Sequence, residues 1–216
     1  MLLMNKKLLL LILPFILTIS CKTLVRSEVV VYTNDFETGD LTNIKGGLLG
    51  KFNGSSLLGQ FSNGDFTLSL NNLPNHDLIT ISFDLYIHDN WRGDLAPDGP
   101  EIWQMLIDGS TYINTTFSNL SCIPGNICPP QSYPYDYPNN YNNPKTGAYR
   151  TDLPGVCSLK ADPNGTTQYK ITKTFRHSGG TISIECLDRL DQKDFSNPKC
   201  EKSWSVDNIN IQAITL

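Results

Sequence analysis

Residues 78–103, LITISFDLYIHDNWRGDLAPDGPEIW, decide how the chain is read. Ile79, Ile81, Phe83, Leu85 and Ile87 alternate with Thr80, Ser82, Asp84, Tyr86 and His88. Strict alternation with a period of two puts the apolar set on one face of a sheet and the polar set on the other. Asp89, Asn90, Trp91, Arg92, Gly93 and Asp94 then break the pattern with turn-forming residues, before a second strand begins at Ile102 and Trp103. Half of each strand must face a core, and the wet loop between them carries a Trp that is either pinned to the fold or held out for a ligand.

The same signals recur on both sides. Residues 28–33 are a β-branched strand followed by an acidic turn with Asp35, Glu37 and Asp40. Residues 57–61 and 66–70 flank Asn63 and Gly64, which predicts a hairpin, and 102–107 and 111–117 flank Asp108 and Gly109, which predicts another. Tyr169, Ile171, Lys173 and Phe175 alternate, as do Ile182, Ile184 and Cys186, with Ser178, Gly179 and Gly180 between the two runs. Residues 204–216 close the chain, and no amphipathic helix is evident after the N-terminus. Many short strands separated by turns predict an all-β fold, a single jelly-roll-like β-sandwich over 28–216 with its first and last strands paired or close. In the last strand Trp204 and Val206 share one phase, while Ile209, Ile211 and Ala213 share the other. The slip at Asp207 and Asn208 predicts a bulge.

Residues 119–156 stand apart, with no apolar period and with seven of the 13 Pro and five of the nine Tyr. Loops this long inside a compact domain are usually functional or disordered. So many aromatics argue for an ordered Tyr/Pro-rich lid over the sandwich, or for an insertion that covers a sheet edge.

The N-terminus is a targeting segment. Lys6 and Lys7 precede an apolar run over 8–19 that is short for a bilayer span. The following Thr18, Ile19, Ser20 and Cys21 resemble a bacterial lipobox. We expect 1–20 to be a lipoprotein-type signal peptide, Cys21 to be lipidated and 21–27 to be a tether. The expected location is then the outer membrane or cell surface of an envelope, held through the lipid anchor only, or otherwise secreted. Acyl chains contribute about 0.8 kcal/mol per buried CH₂, and two or more hold a protein on a membrane. The formal net charge of −4, more acidic once Lys6 and Lys7 are removed, with no basic block, argues against nucleic acid as a partner.

An exported chain permits disulfides. Five Cys follow Cys21, and Cys122–Cys128 and Cys186–Cys200 are the expected pairs because each brackets a short polar loop, leaving Cys157 free. Zinc is disfavoured: there is no C-x-x-C, and His76, His88 and His177 lack ligand spacing. The triplet Arg92, Gly93, Asp94 and the Asn-x-Ser/Thr sequons at Asn53, Asn114, Asn119 and Asn164 are short enough to be chance.

Flat aromatic faces stack on sugar rings, and neighbouring carboxylates fix hydroxyl groups. The candidate ligand-binding residues are therefore Asp84, Tyr86, Trp91, Asp94, Tyr133, Tyr135 and Tyr137, whereas Trp103, on a strand, is expected in the core. Carboxylates with turn carbonyls suit Ca²⁺, which takes six to eight oxygens. If the end strands meet, Asp35, Glu37, Asp40 and Asp207 form a candidate structural calcium site, with Asx capping as the alternative. No Gly-x-Ser-x-Gly or HExxH pattern occurs, and no catalytic residue is assigned.

The segments FETGDL (36–41), GQFSNGDFTLSLNNLPNH (59–76), ISFDLYIHDNW with RGD (81–94), GPEIW (99–103), TTFSN (115–119), QSYP (131–134), TGAY (146–149) and SWSVDNINI (203–211) occur in that order. Together they resemble an uncharacterised extracellular domain family of bacterial secreted and surface proteins. Its members look like β-sandwiches of the carbohydrate-binding-module or concanavalin-like lectin type. Arg92 and Glu101 stand where the resemblance leads one to expect Asp, and the Cys-bearing inserts are peculiar to this chain. The resemblance implies the fold and carries no chemistry. The Phe36–Glu37 start and the Asp207–Asn208 end are similar to modules whose terminal strands hold a structural Ca²⁺. The leading expectation is a surface-tethered, non-catalytic binding module for a glycan or other extracellular polymer. The alternatives are a glycan-active hydrolase or lyase using Asp84 and Glu101, and a structural envelope protein that binds a protein partner.

Overall fold

A computed structural model describes residues 27–216, except 96–98, 123, 126–127, 140 and 194–195. The expected signal peptide, the lipidation site Cys21 and all but the end of the tether lie outside the described residues.

The strands are β1 (Ser27–Asn34), β2 (Ile44–Lys45), β3 (Leu49–Phe52), β4 (Ser55–Phe61), β5 (Asp65–Asn71), β6 (Leu78–Asp89), β7 (Ile102–Ile107), β8 (Ser110–Thr116), β9 (Arg150–Leu153), β10 (Thr166–Arg176), β11 (Thr181–Arg189) and β12 (Lys202–Thr215). They form a seven-stranded antiparallel sheet, ordered β3-β4-β12-β6-β10-β9 with β1 also on β12, and a five-stranded sheet ordered β2-β5-β11-β7-β8. This is the expected jelly-roll-like β-sandwich, and β1 pairs with β12 from Ser27↔Thr215 to Asn34↔Ile209.

The alternation on β6 has the anticipated result. Ile79, Ile81, Phe83, Leu85 and Ile87 are buried against Phe66, Leu68 and Leu70 of β5, Trp103, Met105 and Ile107 of β7, and Ile182, Ile184 and Cys186 of β11. Fully burying one such side chain contributes about 1.5–3 kcal/mol, so a slip of one residue in β6 would forfeit five of these at once.

The phase slip in β12 is a bulge: its register on β6 shifts between Asp207 and Asn210, and Asn208 has φ 54°. On the opposite edge β12 pairs with β4 only as far as Val206, and with β1 from Ile209 onward. The bulge therefore sits where one edge partner gives way to the other. Trp204 and Val206 before it, and Ile209 and Ile211 after it, all face the core.

Two expectations are corrected, and a choice between two others is settled. Asn63 and Gly64 do not make a hairpin, because β4 and β5 belong to different sheets. Asp188 accepts hydrogen bonds from the Asn63 and Gly64 amides, and the Asn63 side chain bonds both the N–H and the carbonyl of Leu190. Those contacts to β11 and the residue after it carry the chain across the sandwich. Asp108 and Gly109 do join paired strands, β7 and β8.

The second correction concerns cysteines. Cys122–Cys128 forms as expected, but the other disulfide is Cys157–Cys200, with Cα atoms 5.5 Å apart. Cys186 is free and fully buried. Its position in the alternation of β11 turns its thiol into the core, where burial pushes the thiol pKa up and no loop cysteine can reach it. Cys157 and Cys200 instead sit in two short 3₁₀ turns, Cys157–Leu159 and Pro198–Cys200.

Of the two readings of the Tyr-rich segment, the structure bears out the edge cover. The Tyr137 amide donates to the Asn114 carbonyl (2.7 Å), the Tyr133 amide to the Thr116 carbonyl (3.2 Å), and the Thr115 hydroxyl to the Tyr135 carbonyl (2.8 Å). These bonds run along β8, the edge of the five-stranded sheet, and satisfy groups that would otherwise be open to pairing. Gln131, fully buried, ties the segment down: its Oε1 accepts from the amides of Ser118 (3.1 Å) and Lys145 (2.9 Å), and its Nε2 donates to the carbonyls of Tyr133 and Thr146.

Candidate ligand-binding face

The outer face of the seven-stranded sheet is built from three central strands. On β6 the polar set of the alternation points outward. Register places Tyr86 beside Gln168 and Ser205, and Asp84 beside Lys170 and Asp207. His88 is fully buried, hydrogen-bonded at Nδ1 to Thr166 (2.9 Å) and at Nε2 to Ser205 (3.0 Å). Burial lowers its pKa to about 3, so it is neutral and a platform rather than a titrating group.

Walls rise from both sides. The β3–β4 hairpin brings Phe52 and Leu57 over the sheet, and β9 with the loop after it brings Leu153 and Val156. Phe52 meets the Tyr86 ring at 5.6 Å and the His88 ring at 4.8 Å. Between these walls Tyr86, Gln168, Asp207, Arg150 and Asn53 line a shallow recess of about 70 Å³. A second trough of about 350 Å³, lined by Ser82, Asp84, Lys170 and Asn208, is built around the Asp84–Lys170 pair of the same central strands.

Electrostatics divides the face. Asp84 Oδ1 pairs with Lys170 Nζ (2.9 Å) and Oδ2 accepts from Asn208 Nδ2 (3.0 Å). The Lys170 ammonium also lies 4.5 Å from the centre of the Tyr149 ring, which is 60% exposed. Asp207, directly opposite Asp84 across the strand pair, accepts, among the described residues, only from its neighbour's amide, Asn208 N–H (2.7 Å). Burial pushes the Asp207 carboxyl up to about 6, and the Asp84, Glu37 and Asp35 carboxylates add to this. Like charges opposite each other on neighbouring strands destabilise a sheet, so Asp207 is the group on this face with most to gain from a hydroxyl or a cation. An aromatic ring, a carboxylate, an amide and a guanidinium around one recess, with a second aromatic ring exposed nearby, suit a hydroxyl-rich ligand with an apolar face.

Of the candidate ligand residues, Asp84 and Tyr86 are on this face, and Asp207, expected at a metal, joins them. Trp91 is corrected: it is fully buried, its indole N–H donates to the Ser203 carbonyl (2.9 Å), and it packs edge-on against Phe117. The loop turns it inward because that bond and the core satisfy both ends of the indole. Asp94 is an anchor that accepts from Thr116 and from Ser132 Oγ (3.2 Å). Tyr133 packs on Phe117 and Tyr169, Tyr137 is half-buried along β8, and Tyr135 is exposed there. These three serve or flank the edge cover, on the other sheet from Tyr86. Trp103 is in the core, as expected.

Glu101 is also corrected. It is fully buried in an ion pair with Lys202 and accepts from the Arg92 amide. Lys202 pairs in register with Asp89, whereas Asp84 pairs with Asp207, so Asp84 and Glu101 do not face one cleft. The expected metal carboxylates are occupied separately. Asp35 accepts from the Glu37 amide and Asp40 from the Thr42 amide in Asx turns, and Glu37 accepts from Ser55 and from the Ser56 amide. Among the described residues no group of three or more His, Cys, Asp or Glu side chains is gathered to hold a metal.

Sequence reasoning passed over Gln168, Lys170, Tyr149 and Arg150. Gln168 and Lys170 were legible in principle, since they lie out of phase with Tyr169 and Ile171. Tyr149 and Arg150 reach the face only because Arg150 pairs with Gln168 and the Tyr149 amide donates to the Gln168 carbonyl.

No protein-family model matches the chain, and no curated protein matches it in sequence. Solved structures similar to it include dimeric latent PorU from Porphyromonas gingivalis, with a TM-score of 0.45, 9% identity, and 90% of this chain against 14% of that one. A family 35 carbohydrate binding module from Clostridium thermocellum has a TM-score of 0.38 and 10% identity, over 86% of this chain and 97% of that one. A carbohydrate binding module from Cellvibrio mixtus lichenase 5A, solved with cellotriose, has a TM-score of 0.35 and 12% identity, over 85% and 97%. The chain thus spans a small part of PorU and nearly the length of the two modules. Similarity at this level assigns neither function nor ligand.

Proposed function

We propose that the protein is a non-catalytic binding module, tethered at the cell surface through Cys21, that holds a glycan or other extracellular polymer on the outer face of its seven-stranded sheet. The observation that carries this reading is the convergence of Tyr86, Gln168, Arg150 and the uncompensated Asp207 on one recess, with Tyr149 exposed beside it. Hydroxyl groups satisfy the carboxylate, amide and guanidinium, and the rings cover the apolar faces of sugars. Two disulfides support an oxidising, exported location. Among the described residues no helix is long and apolar enough to cross a membrane, and a lipid on Cys21 would supply the attachment.

Tyr149 is largely exposed and Arg150 lies on the surface, so Tyr149→Ala and Arg150→Ala leave the core intact. Polysaccharide pull-down and glycan-array binding by the wild type, lost in both variants, is the expected result. Binding that survives both would move the site elsewhere. A stoichiometric protein partner recovered from cells, with no glycan bound, would favour a structural envelope role instead.

A further inference from the structure

Asp207 and Asn208 stand where the recess and the trough of the outer face meet. Asp207 lines the recess with Tyr86 and Gln168, and Asn208 lines the trough with Asp84 and Lys170. Tyr86 and Asp84 are two residues apart on β6, about 7 Å along the strand. At about 70 Å³ the recess has room for a few water-sized groups, which suits a substituent, whereas the trough of about 350 Å³ has room for a ring.

The recess offers acceptors and a negative charge. Asp207 is 4% exposed, and among the described residues only its Oδ1 has a hydrogen-bond partner, the Asn208 amide. Gln168 is 7% exposed, and its side chain has no hydrogen-bond partner among the described residues. Ser55 gives its hydroxyl hydrogen to Glu37 and presents lone pairs to the recess. Burial, with the Asp84 and Asp207 carboxylates, keeps the Tyr86 hydroxyl protonated, and it accepts as well as donates. The nearby cations are committed elsewhere. Arg150 is held by Asp152 through Nε (3.0 Å) and Nη2 (3.2 Å), Lys170 is held by Asp84 (2.9 Å), and Lys51 acts on Glu37. Burial foremost, then the Asp84, Glu37 and Asp35 carboxylates, pushes the Asp207 carboxyl up to about 6.

We propose that the recess recognises the free ammonium group of an amino sugar, so that the glycan held on this face carries unacetylated amino groups. This rests on the glycan-binding reading and narrows it. An ammonium brings donors, a positive charge and no acceptor, which complements Asp207 Oδ2, the Gln168 amide oxygen and the Ser55 hydroxyl. A hydroxyl satisfies one acceptor but leaves the carboxylate uncompensated. An acetamide is neutral and sets its own carbonyl against these acceptors. A divalent metal needs several oxygen ligands, but Asp35 and Glu37 already accept from the Glu37 amide and from Ser55 and Ser56. A lysine carries the same ammonium on an apolar stem, which leaves the polar trough of Asp84, Lys170 and Asn208 unfilled.

The test is calorimetric titration of the purified protein, in EDTA, with three β-1,4-linked tetrasaccharides: of glucosamine, of N-acetylglucosamine and of glucose. At pH 6.5 the glucosamine form is expected to bind at least about tenfold tighter than the other two, because charge-assisted hydrogen bonds are roughly twice as strong as neutral ones. The preference should disappear in Asp207→Asn. In the wild type it should shrink several-fold at pH 5, where the unliganded carboxyl keeps its proton, and that arm requires no variant to fold. Equal affinity for the glucosamine and glucose forms overturns the proposal and leaves glycan binding standing. So does a preference that survives in Asp207→Asn or is unchanged at pH 5. Binding of none of the three at millimolar concentration also overturns it, and polysaccharide binding by the wild type then decides the broader reading. A tetralysine peptide that binds as tightly as the glucosamine form, with the same dependence on Asp207, overturns the amino sugar in favour of a protein partner.

Discussion

Lys202→Met should unfold this protein more readily than any surface change, and its cost can be worked from the structure. The Lys202 side chain is 1% exposed and that of Glu101 is 0% exposed. The ammonium contacts Glu101, the Asp191 carbonyl and, at 3.8 Å, Glu201. Methionine keeps the packing but leaves the Glu101 carboxylate buried without its ammonium partner, still accepting from the Arg92 amide. Breaking a buried pair from one side costs about 3–5 kcal/mol, a large share of the roughly 5–15 kcal/mol that holds a typical domain. At about 2–4 °C per kcal/mol for a domain of this size, the midpoint should fall by about 10 °C. Replacing both partners, as Glu101→Leu/Lys202→Met, should recover most of the loss, because apolar isosteres carry no desolvation penalty.

The pH dependence has a definite sign. Burial raises the Glu101 pKa, and Lys202 opposes the rise. A carboxyl raised in the folded state binds its proton more tightly there, so its ionisation removes stability as pH climbs above the unfolded value. Without Lys202 the penalty grows, so Lys202→Met should lie closest to wild type in acid and furthest from it at neutral pH. Urea melts followed by tryptophan fluorescence at several pH values measure this. A loss below about 1 kcal/mol at neutral pH, as for an exposed pair, would refute the reasoning, as would a double variant no better than the single one.

Asp207, raised to about 6 from its ordinary 3.8, should make stability fall as pH rises between those values, and Asp207→Asn should flatten that part of a stability–pH profile. The Cys157–Cys200 bridge closes 43 residues, so by chain entropy Cys157→Ser/Cys200→Ser should cost about 4 kcal/mol in urea melts. Non-reduced peptide mapping that links Cys186 to Cys200 would contradict the fold. Trp91→Ala should cost about 3–5 kcal/mol through a core cavity yet leave ligand affinity unchanged in the folded fraction by calorimetry. A selective loss of affinity would return Trp91 to the binding site.

Periodicity was enough for the layers. The alternation from Ile79 to Ile87 made one face apolar whatever lay beyond it, because side chains on a strand must alternate and the apolar half must leave water. The change of phase at Asp207 and Asn208 marked the bulge for the same reason. Local pattern also predicted that Asp84 and Tyr86 face away from the core.

Partners in space were beyond it. Asn63 and Gly64 are turn residues in a hairpin and in a crossover alike, and only the bonds to Asp188 and Leu190 decide between them. Sequence proximity favoured Cys186 for Cys200, but the inward phase of β11 buries that thiol, and Cys157, 43 residues away from Cys200, arrives instead. Trp91 among polar neighbours looked available until the Ser203 carbonyl, 112 positions on, took its N–H. Burial and disulfide partners depend on contacts between distant segments, which a local pattern does not encode. The proposed binding face assembles from β6, β9, β10, β12 and the β3–β4 hairpin, and it exists only once the sheet has closed.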